Sequence, residues 1–372
     1  MTQYLLYIFI AFILSMVCGF IFIPQIMNFC ERKKLYDIPN ARKVHKNAIP
    51  RLGGISFLPS MLLAFICVIF IMNQRDGYDQ ISMNLWSMYF LISLLLIYGV
   101  GIIDDFVGLN ATTKFTVQII AASLLPCAGL YINNFYGLFG LNEIPVWVGV
   151  PITIFLIVFI NNSINLIDGI DGLSAGISFI ALSGFLVCFV RENMWLYAFL
   201  ICGLLGVLIP FLYFNLWGDA SKKRKIFMGD SGSLTLGFIM GFLIVKFSMD
   251  NPQVMPFRKD SMVLALTLLL VPLLDTTRVI LVRIKHRQPI FRSDKNHIHH
   301  KLLRTGLTQR QALLVILGIA ISYIFLNQVL FLFCDINIIA VIDITTWMII
   351  NSCINHIIIS KGGEPYYHEK SV

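Results

Sequence analysis

Long apolar runs, each closed by a short polar segment, set the pattern of this chain. Runs of about 17 to 25 residues, the length at which a helix crosses a bilayer, lie near positions 3–27, 54–72, 86–103, 115–132, 146–164, 173–190, 194–215, 231–249, 261–282, 311–333 and 337–359. They predict an all-α, polytopic membrane protein of about eleven transmembrane helices, a single embedded domain over 1–372 with a tail from about 360. The first run has no basic leader, is too long for a signal-peptide core and ends in Glu31-Arg32-Lys33-Lys34. It is expected to be retained as a span with the N-terminus outside.

The charged residues then give the runs a direction. Arg32, Lys33, Lys34, Arg42, Lys43, Lys46 and Arg51 fall in one set of alternate connections, with Lys114, Lys222, Lys223, Arg224, Lys225 and the dense run from Arg283 to Arg310. Only Arg75, Arg191, Lys246, Arg258 and Lys259 fall on or near the other side. Positive-inside orientation makes the first set cytoplasmic and also places the C-terminus inside. The polar site is then expected on the cytoplasmic face of the membrane.

Composition agrees with this class and excludes others. The chain is 58% hydrophobic and 13% charged, with a mean hydropathy of +0.81, whereas soluble domains carry roughly 25% charged residues. Eight cysteines are scattered singly, mostly within apolar runs, so neither a disulfide framework nor a thiolate metal site is indicated. The net charge of +8 describes a surface facing anionic lipid and an anionic substrate. No soluble basic domain remains for nucleic acid.

Acidic residues and histidines gather where the runs meet the predicted cytoplasmic side. The first connection carries Asp37-Ile-Pro-Asn40-Ala-Arg42-Lys43-Val-His45-Lys46 and then Ile49-Pro50-Arg51-Leu52-Gly53-Gly54. Its prolines prevent a continuous helix and its paired glycines permit close backbone approach; an anchor of basic residues is the plainer reading. Asp104-Asp105 ends the third run, where two carboxylates repel and a helix C-terminus disfavours both, so a divalent cation is the natural compensation. In Asn161-Asn162-Ser163-Ile164-Asn165-Leu166-Ile167-Asp168-Gly169-Ile170-Asp171-Gly172, a continuing helix would align Asn161, Asn165, Asp168 and Asp171 on one face. Phe227-Met228-Gly229-Asp230-Ser231-Gly232-Ser233 precedes the eighth run: free N–H groups at that helix start would receive a phosphate while Asp230 binds magnesium, with simple capping as the alternative.

The last cytoplasmic connection holds Arg292-Ser293-Asp294-Lys295-Asn296-His297-Ile298-His299-His300-Lys301. Three histidines among cations suit contact with phosphate oxygens, with zinc and a solvated loop as competing readings. Asp343, inside the final run, is the exception to the one-sided pattern, with Thr345, Thr346 or Asn351 as candidate partners. Carriers keep their polar residues near mid-membrane on broken helices, so a transporter is the alternative from another class.

Taken together, D-x-P-N-x-R-K-x-H with I-P-R-L-G-G, the Asp104-Asp105 pair, N-x-x-N-x-x-D-G-x-D-G, F-M-G-D-S-G-S and H-I-H-H resemble the polyprenyl-phosphate N-acetylhexosamine-1-phosphate transferases of glycosyltransferase family 4, in order and over about residues 30 to 310. The resemblance implies transfer of a sugar-1-phosphate from a UDP-N-acetylhexosamine to undecaprenyl phosphate, with release of UMP and a need for Mg2+, which Mn2+ would replace. It implies catalytic roles for Asp104, Asp105, Asp230 and His297, with Asp230 the metal ligand. Substrate-binding roles fall to Lys46, Asn165, Asp168, Asp171, Phe227, Arg292, His299 and His300, with Phe227 a candidate to stack on uracil. The interrupted H-I-H-H resembles the branch that uses UDP-N-acetylglucosamine to start cell-envelope glycans. The branch using UDP-MurNAc-pentapeptide in peptidoglycan synthesis has three consecutive histidines and is the alternative. A homodimer is compatible with all of this.

Because a phosphate monoester is already mostly dianionic at pH 7, a strong base is hardly needed. The difficulty is bringing two anions together, which a metal on Asp230 and the cations His297, Arg292 and Lys46 would offset. Direct in-line attack and a two-step route through a phosphorylated aspartate both remain open at this stage.

Overall fold

A computed structural model of the chain describes residues 2–37, 48–76, 85–251, 255, 257–289 and 295–367. Lys46 and Arg292, together with Asn40, Arg42, Lys43 and His45, lie outside the described residues. The long helices are α1 (Thr2–Lys33), α2 (Phe57–Asp76), α3 (Leu85–Val107), α4 (Ala111–Cys127), α5 (Val146–Ile167), α6 (Leu173–Arg191), α7 (Trp195–Leu216) and α8 (Asp230–Ser248), followed by α9 (Ser261–Thr267), α10 (Leu270–Lys285), α11 (Ile298–Arg304), α12 (Gln309–Leu330) and α13 (Ile336–Ser360). Strands β1 (Tyr36–Asp37) and β2 (Ile49–Pro50) pair antiparallel and bring the two ends of the first connection together.

Among the described residues, nine helices are long and apolar enough to cross a membrane, and α9 with α10, a pair bent by 71°, makes a tenth if the two form one span. The chain is therefore a multi-pass membrane protein. The expected count of eleven is reached only if α4, at 17 residues, also crosses. The continuous span expected over 261–282 is instead broken at Leu268 and Leu269. The seven-residue helix α11 was not foreseen, because its length is below what apolar periodicity can register.

The bundle is organised around α8, in which every residue from Ser231 to Ser248 is buried. α3 and α5 flank it, while α1, α12 and α13 stand at the periphery. Phe9, Ile66, Phe70, Phe155, Phe325 and Met348 remain exposed, as expected of side chains that meet lipid. Lipid gives helices no hydrophobic reason to associate, so close packing of small residues must supply the contact. Gly237 and Gly241, four apart on α8, lie against Asn161 and Ile157 of α5; a Cβ on Gly237 would stand 2.7 Å from the Asn161 Cα.

Two charges are housed away from the polar mouth. Lys246 is fully buried near the far end of α8, its Nζ 3.9 Å above the Trp86 ring. Asp343 is held by Asn327, which donates to its Oδ2 at 2.9 Å and to Thr267 Oγ1 at 2.8 Å. None of the expected partners is the one used, since Thr345 donates to Val341 O and Asn351 accepts from Lys301.

Gly237→Leu is expected to push α5 and α8 apart at a cost of about 1–3 kcal/mol, seen as a lower unfolding temperature in detergent. Phe155→Leu, on the exposed face, should leave that temperature unchanged.

Candidate active site

The site is built on the meeting of α3 with α8. Asp105 is 4% exposed, and its Oδ1 and Oδ2 accept the backbone N–H groups of Asp230 and Ser231 at 2.8 and 2.9 Å. The first N–H groups of a helix have no partner within it, and a carboxylate there also meets the positive end of the dipole. Gly232 and Ser233 turn their own N–H groups back to Gly229 O. The expected phosphate cradle at the start of α8 is thus corrected: those donors are already committed. Asp105, expected to be catalytic, faces the helix start rather than the open site.

Glycine is required at the turn into this helix. Gly229 has φ +74°, and a Cβ there would meet the Asp105 carboxylate at 2.6 Å. The I-P-R-L-G-G segment locks against the same turn: Phe227 N donates to Pro50 O, Gly53 N to Phe227 O and Gly54 N to Met228 O, at 2.7 to 2.9 Å. Arg51 is not free for substrate, because its guanidinium donates to the backbone oxygen of Asp105. Phe227, so fixed through its main chain, keeps a half-exposed side chain beside the cleft.

Asp104 lies 5% exposed, accepting Leu109 N at 2.6 Å and Lys114 Nζ at 3.0 Å. Lys114 also stands 3.7 Å from Asp230 Oδ2, and the Asp104 and Asp230 carboxyls come within hydrogen-bonding reach of each other. Asp230 retains 27% side-chain exposure against 7% for Asp104, so it is the member of the pair that faces outward. Asn165 donates to Asp230 and, at 2.8 Å, to Ser233 Oγ, which aims the Asp230 carboxylate.

The expectation of a single polar face from Asn161 to Asp171 needs correction. Helix α5 ends at Ile167, and Asp168 is its C-cap with ψ 54°. Asn161 is buried against α8, Asn162 donates to Gln118 Oε1 at 2.5 Å, and Asp171 pairs with Lys225 at 2.5 Å. The turn is held by Asn215, which accepts Gly172 N at 2.6 Å and donates to Ile226 O at 2.8 Å. Asp168 opens to water within the cleft. The surrounding protein, then the charges of Asp230, Asp171 and Asp105, raise its pKa to about 7; the repulsion is the part that a bound cation would relieve.

The histidines approach from the other side. His299 is buried against Gly169 of this turn, with no hydrogen-bond partner among the described residues on either ring nitrogen. Burial, then the neighbouring His300 and His297, hold its pKa well below the usual range, so the ring is neutral at pH 7. His297 has its Nδ1 2.9 Å from Asp275 Oδ2, while Nε2 on the opposite edge of the ring has no hydrogen-bond partner among the described residues. Asp275 is 1% exposed, accepts Ile298 N and Arg278 Nη2, and so fixes both the ring and the helix start. The His297 and His299 rings lie parallel with centroids 6.0 Å apart, and His300 follows at 4.2 Å from His299. The rings form a series rather than converging on a point, which does not suit zinc.

Asn215, Asp275 and Arg278 were given no role by the sequence, Lys114 was read only as a cytoplasmic basic residue, and the Ser233 hydroxyl was not foreseen as a partner of Asn165. Asp275 and Arg278, i and i+3 on a polar-interrupted apolar run ahead of the histidines, are the pair a closer reading could have found.

Among the described residues, no three His, Cys, Asp or Glu side chains converge closely enough to hold a metal alone. Mg2+ does not need them to, because it commonly takes one or two carboxylates, with substrate phosphates and water completing the shell. Asp230, with Asp104 behind it, offers such an oxygen donor set.

The raised Asp168 carboxyl ties stability to pH. Between its ordinary 3.8 and about 7 the folded chain keeps a proton that the unfolded chain has released, so stability falls as pH rises through that window. Asp168→Asn is expected to flatten this decline in unfolding temperature, measured without divalent cations; an unchanged slope would contradict it.

A family model for glycosyl transferase family 4 matches residues 87–248, which include the acidic pair, the turn after α5 and the start of α8. The chain is 34% identical over 308 residues to a probable undecaprenyl-phosphate N-acetylglucosaminyl 1-phosphate transferase of Bacillus subtilis, covering 82% of this chain and 80% of the relative. It is 30% identical to the undecaprenyl-phosphate alpha-N-acetylglucosaminyl 1-phosphate transferase of Yersinia pestis, covering 76% and 73%, and 28% identical to that of Escherichia coli, covering 76% and 72%. The matched segment carries the acidic residues of the cleft, and with these relatives it establishes that the chain belongs to glycosyl transferase family 4.

Proposed function

We propose that this protein transfers N-acetylglucosamine-1-phosphate from UDP-N-acetylglucosamine to undecaprenyl phosphate, releasing UMP, at the cytoplasmic face of a bacterial inner membrane. The observation that carries the reading is the convergence of Asp104, Asp230, Asn165 and Asp168 with Lys114 at one end of the bundle, with His299 lying against the same turn. The names of the relatives support undecaprenyl phosphate as acceptor and N-acetylglucosamine-1-phosphate as the group transferred, and the UDP-linked donor follows from the motif resemblance. An N-terminus outside and a C-terminus inside follow from the distribution of basic residues.

Two phosphate-bearing substrates repel each other and the acidic cleft. Asp230, aimed by Asn165 and flanked by Asp104, would hold Mg2+, which supplies charge neutralisation and polarises the transferred phosphoryl group. Lys114 balances Asp104 and Asp230. Asp275 orients His297 so that Nε2 is left to meet a phosphate oxygen, while neutral His299 adds a ring nitrogen without adding charge. Lys46 and Arg292 are assigned to the same anionic groups from their motifs alone. The acceptor monoester is its own nucleophile near pH 7, so the protein's work is orientation and electrostatics.

Purified chain in lipid nanodiscs, given UDP-N-acetylglucosamine, undecaprenyl phosphate and Mg2+, should release UMP and form a polyprenyl-pyrophosphoryl sugar. Asp230→Asn should lower that rate by about 100-fold or more while the folded protein persists in the membrane. Absence of UMP from the unaltered chain would favour a carrier, and retained turnover in Asp230→Asn would remove Asp230 from the metal site.

A further inference from the structure

The C-terminal segment does not leave the bundle after α13 but lies across the histidine helix. Lys361 Nζ donates to Thr305 O at 2.6 Å, just beyond α11. The Arg304 guanidinium reaches Glu364 O and Pro365 O at 3.5 and 3.4 Å. Tyr366 stacks on His286, at the end of α10, with centroids 4.0 Å apart and planes 4° from parallel. Between these points, Asn296 meets the main chain of Tyr367 twice: its Oδ1 accepts Tyr367 N at 2.8 Å and its Nδ2 donates to Tyr367 O at 3.4 Å.

Asn296 is only 2% exposed and immediately precedes His297. Its own carbonyl accepts Arg278 Nη2 at 2.5 Å, and the same nitrogen donates to Asp275 Oδ1 at 2.7 Å. Asp275 in turn holds His297 Nδ1 and Ile298 N. A helix of seven residues is too short to hold itself. Its orientation therefore depends on tertiary partners, and the segment 361–367 touches it before its start, at its last residue and just after its end.

We propose that Lys361–Tyr367 is a strap that holds the His297 loop in its working position, with Asn296 as the positioning residue through which it acts. The proposal rests on the transferase reading for the task of His297, but the strap itself is independent of any substrate. Its hydrogen bonds at Tyr367 are to main chain and Lys295 Nζ stands 5.5 Å from the ring centroid, so the Tyr367 hydroxyl is dispensable while the segment is not.

The test compares a chain ending at Gly363, Asn296→Ala, and the two combined, with Tyr367→Phe as the conservative control. Hydrogen exchange over residues 295–304 in detergent should rise by about tenfold or more in the first three, as expected for loss of a local opening barrier, and stay unchanged in Tyr367→Phe. In UMP release, kcat should fall by about tenfold with KM for the UDP-sugar within about threefold, and the combined variant should be no worse than the worse single one, because both remove one interaction. Unaltered exchange on truncation would overturn the strap. Raised exchange with unaltered kcat, or strictly additive losses, would overturn Asn296 as its point of action. If the unaltered chain released no UMP, the transferase reading would fail, and the exchange comparison alone would still decide the strap.

Discussion

A buried carboxylate seated on the first turn of the central helix is the contact on which the site depends. Asp105 stands near the C-terminus of α3, where the helix dipole opposes negative charge. It is stabilised there because the start of α8 presents two N–H groups and a positive dipole end to it. Each such charge-assisted bond contributes on the order of 1.5–3 kcal/mol, and leaving either side unpaired would cost about as much. The pairing fixes the distance between two helices and, with it, the placement of Asp104 and Asp230 beside one another. Gly229 is the turn that permits it, and Arg51 secures the α3 backbone from behind.

Much of the architecture was legible in the chain because bilayer thickness imposes a length on every apolar run. The spans over 146–164, 173–190 and 194–215 end within a few residues of α5, α6 and α7. The sharing of one mouth by the acidic motifs and the histidines was also legible, since charge beside hydrocarbon is kept mainly for use. The local partnerships were not. The start of α8 looked like an anion site because its sequence shows free donors, whereas Asp105, 125 residues earlier, fills them. Asp168 and Asp171 looked like one helical face because periodicity does not reveal where α5 stops. Asp275 and Arg278 show an i, i+3 pairing in the chain, but nothing in the sequence ties that pair to His297; only the fold brings them together.

The cleft balances charge in layers. Asp104 and Asp230 share Lys114, Asp171 is matched by Lys225, and Asp275 by Arg278. Asp168 faces its carboxylate neighbours without a paired cation among the described residues, and its pKa, like that of Asp230, is raised. On the proposed reading, the site is most comfortable when a divalent cation and its bound phosphates enter together, which suits a protein that must bring a nucleotide-linked sugar and a lipid phosphate into contact. The histidine loop brings the neutral ring of His299 to the turn after α5, and the strap from α13 keeps it near the acidic side.

Residue-resolved hydrogen exchange at the Asp230 and Ser231 amides, in the unaltered chain and in Asp105→Ala, tests the central contact most directly. The account predicts slow exchange at both amides in the unaltered chain and its loss in the variant, with the interior of α8 still protected. Free exchange at these two amides in the unaltered chain, or protection that survives removal of the carboxylate, would contradict it.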